Sequence, residues 1–185
     1  MATSINASGN IVGDACDQAA VECHAVFWAD STSTPVALAS PGGGFIYSFV
    51  VFYSHGINKA GNMVGYAYTP GFAAVRAAFW ASSSSPAVVL NTVGEFTNTV
   101  AAGISDNSQI VGYGFNEDFS KSRPFIWPNS TSQGIDLTTF FPAGSNWDFD
   151  STFAIAINNR GEIIGGGSFN DGTVHNFVLI PVHGH

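Results

Sequence analysis

One ten-residue stretch occurs four times without a gap, and it decides what the chain can fold into. SINASGNIVG starts at Ser4, GINKAGNMVG at Gly56, GISDNSQIVG at Gly103 and AINNRGEIIG at Ala156. Their second-place isoleucines, Ile5, Ile57, Ile104 and Ile157, are separated by 52, 47 and 53 positions. A period near 50 is that of arrays in which each supersecondary unit needs a neighbour to cover its apolar face. Each stretch reads as a strand, a tight turn and a returning strand. Asn6, Asn58 and Asn158 open the turn, with Gly9, Gly61 and Gly161 three places on; these residues satisfy the local backbone and accept positive φ. The third copy carries Ser105 and Ser108 instead. The returning strand begins with Ile11-Val12, Met63-Val64, Ile110-Val111 or Ile163-Ile164, and then Gly13, Gly65, Gly112 or Gly165. Glycine weakens a strand interior, so its recurrence there signals a bulge or a close backbone approach.

A second block follows in every unit: HAVFW from His24, RAAFW from Arg76, RPFIW from Arg123 and HNFVL from His175. It reads as a third strand. PVALA from Pro35, PAVVL from Pro86 and GIDL from Gly134 read as a fourth. No stretch sustains helical periodicity between caps. The expectation is an all-β chain, a small β-propeller of four four-stranded antiparallel blades with units at about 1–43, 44–92, 93–141 and 142–185. The fourth unit has no fourth strand, which leaves about fifteen strands where a full set needs sixteen. Either the first and last blades share strands imperfectly, or another chain completes the ring, or the chain is a fragment of a longer array. The apolar Gly44–Tyr53 segment reads as a long opening strand of unit two.

Charged residues make up only 10% of the 185, with 13 acids against five Lys and Arg and a net charge of −8. That balance argues against nucleic acid, which needs a basic footprint, and against anionic lipid. No apolar run is long enough for a membrane span, and no signal peptide stands at the start, so export implies a leader already removed. Cys16 and Cys23, seven apart, read as a local disulfide clamping a loop. A free pair competes, and a zinc site with His24 as a third ligand lacks a fourth.

The turn stretches, together with HAVFW and RAAFW, resemble the HAF family of extracellular repeats, marked by a His-Ala-Phe strand and an Ala-Ile-Asn-x-x-Gly-x-Ile-Val-Gly turn. The likeness covers nearly the whole chain. It implies a location outside the cell or on its surface, and it implies no particular activity. Ser105, Ser108 and the HNF of the fourth unit depart from the pattern.

Four candidate ligand residues occupy one repeat position, just before the aromatic block: His24, Arg76, Arg123 and His175. Placed on a ring, they would converge on an anionic ligand or ordered water; the competing reading is that each bonds its own neighbouring turn. Trp147, in PAGSNWDFDS beside Asp148 and Asp150, is a candidate sugar platform. Acidic residues Asp14, Asp17, Glu117, Asp118 and Asp171 fall between second and third strands. They lack the D-x-D-x-D-G pattern, so calcium is a weak reading and no cofactor is expected. No G-x-S-x-G, H-E-x-x-H or phosphate loop occurs. The expected function is a secreted or cell-surface binding module without catalysis, with carbohydrate or another surface polymer as partner. The alternative is a self-assembling structural protein, a homo-oligomer joined through its terminal strands. An enzyme on a propeller scaffold ranks below both.

Overall fold

In three of the four units the chain bends at the same place, and the recurring glycine is the reason. A computed structural model describes residues 1–17, 22–50 and 55–182. Unit one holds β1 (Ala2–Ile5), β2 (Ile11–Cys16), β3 (Cys23–Trp28) and β4 (Val36–Ala37). Unit two holds β5 (Tyr47–Phe49), β6 (Met63–Tyr68), β7 (Val75–Trp80) and β8 (Val88–Val89). Unit three holds β9 (Asn98–Ile104), β10 (Ile110–Phe115), β11 (Ser122–Trp127) and β12 (Ile135–Asp136). Unit four holds β13 (Trp147–Ile157), β14 (Ile163–Phe169) and β15 (Val174–Leu179). The opening strand of units one, three and four pairs with its neighbour around one extra residue, Thr3, Ala102 or Ile155. This bulge pushes a first-strand carbonyl at the glycine opposite. A Cβ on Gly13, Gly65, Gly112 or Gly165 would lie 2.0, 2.0, 1.9 or 2.2 Å from the oxygen of Met1, Phe49, Val100 or Phe153. The sequence expectation of a bulge or a close approach is met by both at once.

The turns behave as read. Gly9, Gly61 and Gly161 take positive φ, and Ser108 takes it at φ 61° in the third copy. Asn6 Oδ1 accepts from the amides of Ser8 and Asn10, and Asn58 Oδ1 from that of Asn62. The turns are also tied to one another. Asn6 Nδ2 donates to the Asn58 carbonyl at 3.0 Å, and Asn58 Nδ2 to that of Ser105 at 3.1 Å. Where Ser105 lacks the amide, the amide of Asp106 donates to Asn159 Oδ1 at 2.8 Å.

Among the described residues the strands number fifteen, but they form three sheets rather than four separate blades: two of four strands and one of seven. Units three and four merge because β11 runs beside β13 and pairs with it in parallel at Ser122 and Ser151. None of the substantial strand contacts among the described residues joins unit four to unit one, and no closed ring is shown. The terminal strands do not pair with each other: β1 pairs with β2, and β15 with β14. The long opening strand expected over Gly44–Tyr53 is only Tyr47–Phe49 within the described residues, and positions 51–54 lie outside them. Among the described residues helix is limited to two 3₁₀ turns, Pro70–Phe72 and Leu137–Phe140, and no helix is long and apolar enough to cross a membrane.

The core is a series of joints between successive units. Alternate residues of β2 and β3 point to opposite faces, so one face looks back along the chain and the other forward. Val12 and Ala25, with Phe27, pack on Ile57, Met63 and Trp80 of the next unit. Val64, Ala77 and Phe79 pack on Ile104, Ile110 and Trp127. Val111 and Ile126 pack on Ile157, Ile163 and Leu179. Two tryptophans pin these joints: Trp80 Nε1 donates to the Ala39 carbonyl and Trp127 Nε1 to that of Asn91, both at 2.8 Å. The aromatic blocks are therefore joint residues first.

Candidate functional site

The candidate residues fall on or near the hairpins that join second and third strands. The Cys16–Cys23 disulfide closes the first of these hairpins across a directly opposed strand pair. Its loop residues 18–21 lie outside the described part of the chain. The disulfide is compatible with an oxidising compartment.

The four residues expected on a ring have separate partners. Arg76 Nη1 donates to the Val75 carbonyl at 3.0 Å, and its guanidinium lies over Phe45, 5.9 Å from the ring centre. Burial lowers its pKa from the ordinary arginine value. His24 is exposed, with the Tyr47 ring 6.0 Å away. Arg123 is held by two carboxylates: Asp150 Oδ1 at 2.8 and 2.6 Å from Nε and Nη2, and Asp136 Oδ2 at 3.0 Å from Nη1. His175 stacks on Phe169 at 4.0 Å and meets Thr173 Oγ1 at 2.9 Å. No hydrogen bond, ion pair or ring contact joins any two of the four among the described residues.

Five of the seven ligand candidates nevertheless meet in two adjoining groups on units three and four. Trp147 and His175 share one, with ring centres 6.4 Å apart. Trp147 sits on a strand, not in the expected loop, and is half-buried against Phe169 at 4.8 Å and Phe141 at 5.6 Å. Arg123, Asp148 and Asp150 form the other. Asp148 Oδ1 accepts from the Asp150 amide at 3.1 Å, and Lys121 Nζ lies 3.5 Å from Asp150 Oδ2 and from Glu95 Oε1. Burial pushes the Asp150 carboxyl up, but Arg123 and Lys121 outweigh it and hold it below the usual range. Arg123 thereby bolts unit three to unit four.

The residues that sequence reasoning missed are Phe72 and Phe119. They sit in the second-to-third-strand hairpins of units two and three, 47 positions apart like the units themselves. Both adopt positive φ, 58° and 60°, and both are exposed, 49% and 62%. Each lies on an aromatic ring of its own hairpin: Phe72 on Tyr68 at 4.2 Å and 1° between planes, Phe119 on Phe115 at 4.7 Å and 25°. A bulky side chain in the left-handed region costs about 1–2 kcal/mol. Burial offsets only part of that cost, since Phe72 is half-exposed and Phe119 more so. Beside Phe119 an open hollow of about 510 Å³ is lined by Glu95, Asn116, Glu117 and Asp118. The signal in the sequence was a large ring inside a turn, in TPGF at Thr69 and NEDF at Asn116.

The acidic loops divide. Glu117, Asp118 and Asp171 are exposed. Asp14, expected in a solvated loop, is instead a buried residue of β2. It faces unit two, where Oδ1 accepts from the Val50 amide at 2.7 Å while Oδ2 has no partner among the described residues. Desolvation raises its pKa from 3.8 to about 6, against the opposing pull of the Val50 amide and the N-terminal ammonium. The folded state therefore holds this proton more tightly than the unfolded chain. Its contribution is complete below about pH 4, falls as pH rises through 6, and is level above. Two pKa units amount to about 3 kcal/mol at most, and water penetration reduces this to about 1–2 kcal/mol. Chemical denaturation from pH 3.5 to 8 should show that fall in wild type and a flatter profile in Asp14→Asn. Equal slopes would refute the assignment. Among the described residues no three His, Cys, Asp or Glu side chains come together as a metal-ligand set.

Compared with protein-family models and with curated protein sequences, the chain matches none.

Proposed function

We infer that this is a secreted or cell-surface repeat protein that binds a carbohydrate polymer along the hairpin edge of blade-like units, without catalysis. One observation carries the reading: Phe72 and Phe119 repeat at equivalent positions, exposed and in a conformation that costs stability. Stacking on Tyr68 and Phe115 returns about 0.5–1.5 kcal/mol of that cost, and strained, exposed positions of this kind gather where ligands bind. A flat apolar ring beside carboxylates and amides is suited to a sugar, whose faces are C–H surfaces and whose rim is hydroxyl. Phe119 has that company in the hollow of Glu95, Asn116, Glu117 and Asp118. Trp147 and His175, beside the hairpin of unit four, would extend the track to a third unit. The blade reading draws support from units that pack face to face in chain order, and the resemblance to extracellular HAF repeats and the disulfide favour export.

The test is binding to an array of polysaccharides, followed by titration of Phe119→Gly and Phe72→Gly. Each should weaken binding about ten-fold, equivalent to about 1.4 kcal/mol. Glycine relieves the positive φ, so neither variant should melt below the wild type by more than a degree or two. A wild type that captures no glycan sinks the reading, as do variants that bind unchanged.

A further inference from the structure

The joint between successive units forms three times along the chain, and at each end half of it is left open. At the leading end Ile5 is 63% exposed, whereas its equivalents Ile57, Ile104 and Ile157 are 4%, 3% and 5% exposed. Trp28 is half-exposed, whereas Trp80 and Trp127 are fully buried. At the trailing end Ile164 is 47% exposed, whereas Val12, Val64 and Val111 have no exposure at all. Val178, which takes the place of Phe27, Phe79 and Ile126, is 60% exposed. The polar seam stops in the same way. Asn6 and Asn58 donate both within their own turns, to Asn10 and Asn62, and to the following turn, whereas Asn158 donates within its own turn, to Glu162.

These two open faces are the two halves of one interface, and the molecule itself shows three times what covers each. We propose that a second copy of this chain seats its first unit on the fourth unit of the first, head to tail, and so remakes the joint. Ile5, Ile11 and Trp28 of the second copy would lie on Ile164 and Val178, and Asn158 would donate to the turn at Asn6. Asn176, which stands where Ala25, Ala77 and Pro124 are found, is a polar substitution on the trailing face. Such a contact is heterologous. Two copies that close it twice make a ring of eight units, and copies that do not close extend into a filament. The association runs through sheet faces rather than through pairing of the terminal strands, and it does not depend on the glycan reading.

The test uses sedimentation of the 185-residue chain and two surface variants. Ile164→Lys with Val178→Lys blocks the trailing face, and Ile5→Lys blocks the leading face. All three positions are exposed, and unchanged far-UV circular dichroism shows that the variants fold. The wild type should gain mass with concentration, and each variant alone should remain a single chain. An equimolar mixture of the two should give a species of two chains and nothing larger, because one intact leading face and one intact trailing face remain. A wild type that stays a single chain at its highest soluble concentration overturns the proposal; those faces would then await a further unit of a longer chain or a different protein. Variants that still associate alone, or a mixture that does not pair, overturn it as well.

Discussion

Replacing Gly112 by alanine is expected to cost about 4 kcal/mol or to prevent folding, the largest single effect in the chain. The added Cβ would stand 1.9 Å from the Val100 carbonyl oxygen and 2.9 Å from Ala101 Cα. Both are backbone atoms of the bulged strand, so no rotamer change makes room. Relief requires β9 and β10 to part at the bulge, which breaks their ladder next to the buried Val111. The control is Gly61→Ala, at φ 85° with nothing within 4 Å. It carries only the conformational cost of about 1 kcal/mol. Urea midpoints of both variants settle the comparison. If Gly112→Ala costs no more than Gly61→Ala, the close approach does not exist.

The second large effect is expected at Trp127. Truncation to alanine should cost about 3–5 kcal/mol, the usual range for a buried tryptophan. Trp127 is fully buried in the joint between units two and three, and its Nε1 reaches back to the Asn91 carbonyl. Trp127→Phe separates the two contributions. It keeps most of the packing but removes the donor, so about 1–3 kcal/mol of the loss should remain. Trp80→Ala should behave like Trp127→Ala, since it makes the same contact to Ala39. Trp28→Ala, at the equivalent but half-exposed position, should cost the isolated chain no more than about 1 kcal/mol. Thermal unfolding at low protein concentration measures all four. Equal losses at Trp28 and Trp127 would show that the joint is not what holds the repeat together.

The four-fold repeat makes the stability of each unit conditional on its neighbours, and this accounts for both sets of expectations. A unit's sheet has two apolar faces, and a lone sheet of four short strands would leave at least one in water. The largest fully buried side chains lie in or between the joints, Trp80, Trp127, Phe125 and Met63 among them. By contrast, Val36, Val88 and Ile135 on the short fourth strands stay exposed in every unit that has one. The fourth strand thus contributes less to the core than the first three. Unit four lacks it and still buries Ile157 and Ile163.

What the amino-acid sequence determined by itself is what local chemistry determines. Asn-x-x-Gly set the turns, because only certain residues accept positive φ and bond their own backbone. The Ile-Val-Gly run set the strand that follows and the close approach at its glycine. The spacing of Cys16 and Cys23 pointed to a local clamp with a free pair as competitor, and their opposition across one hairpin closes the bond. The tertiary structure decided everything that depends on where one unit lies against another. A repeat position specifies a place within a unit but not the direction in which units stack, so His24, Arg76, Arg123 and His175 share a position and yet each has its own partners. Asp14 read as a loop acid because nothing local reveals that unit two covers it. Phe72 and Phe119 became notable only once their rings were seen to remain in water at a conformational cost. The merging of units three and four, and the open faces at Ile5 and Ile164, likewise arise from packing between residues far apart in sequence, which no local pattern encodes.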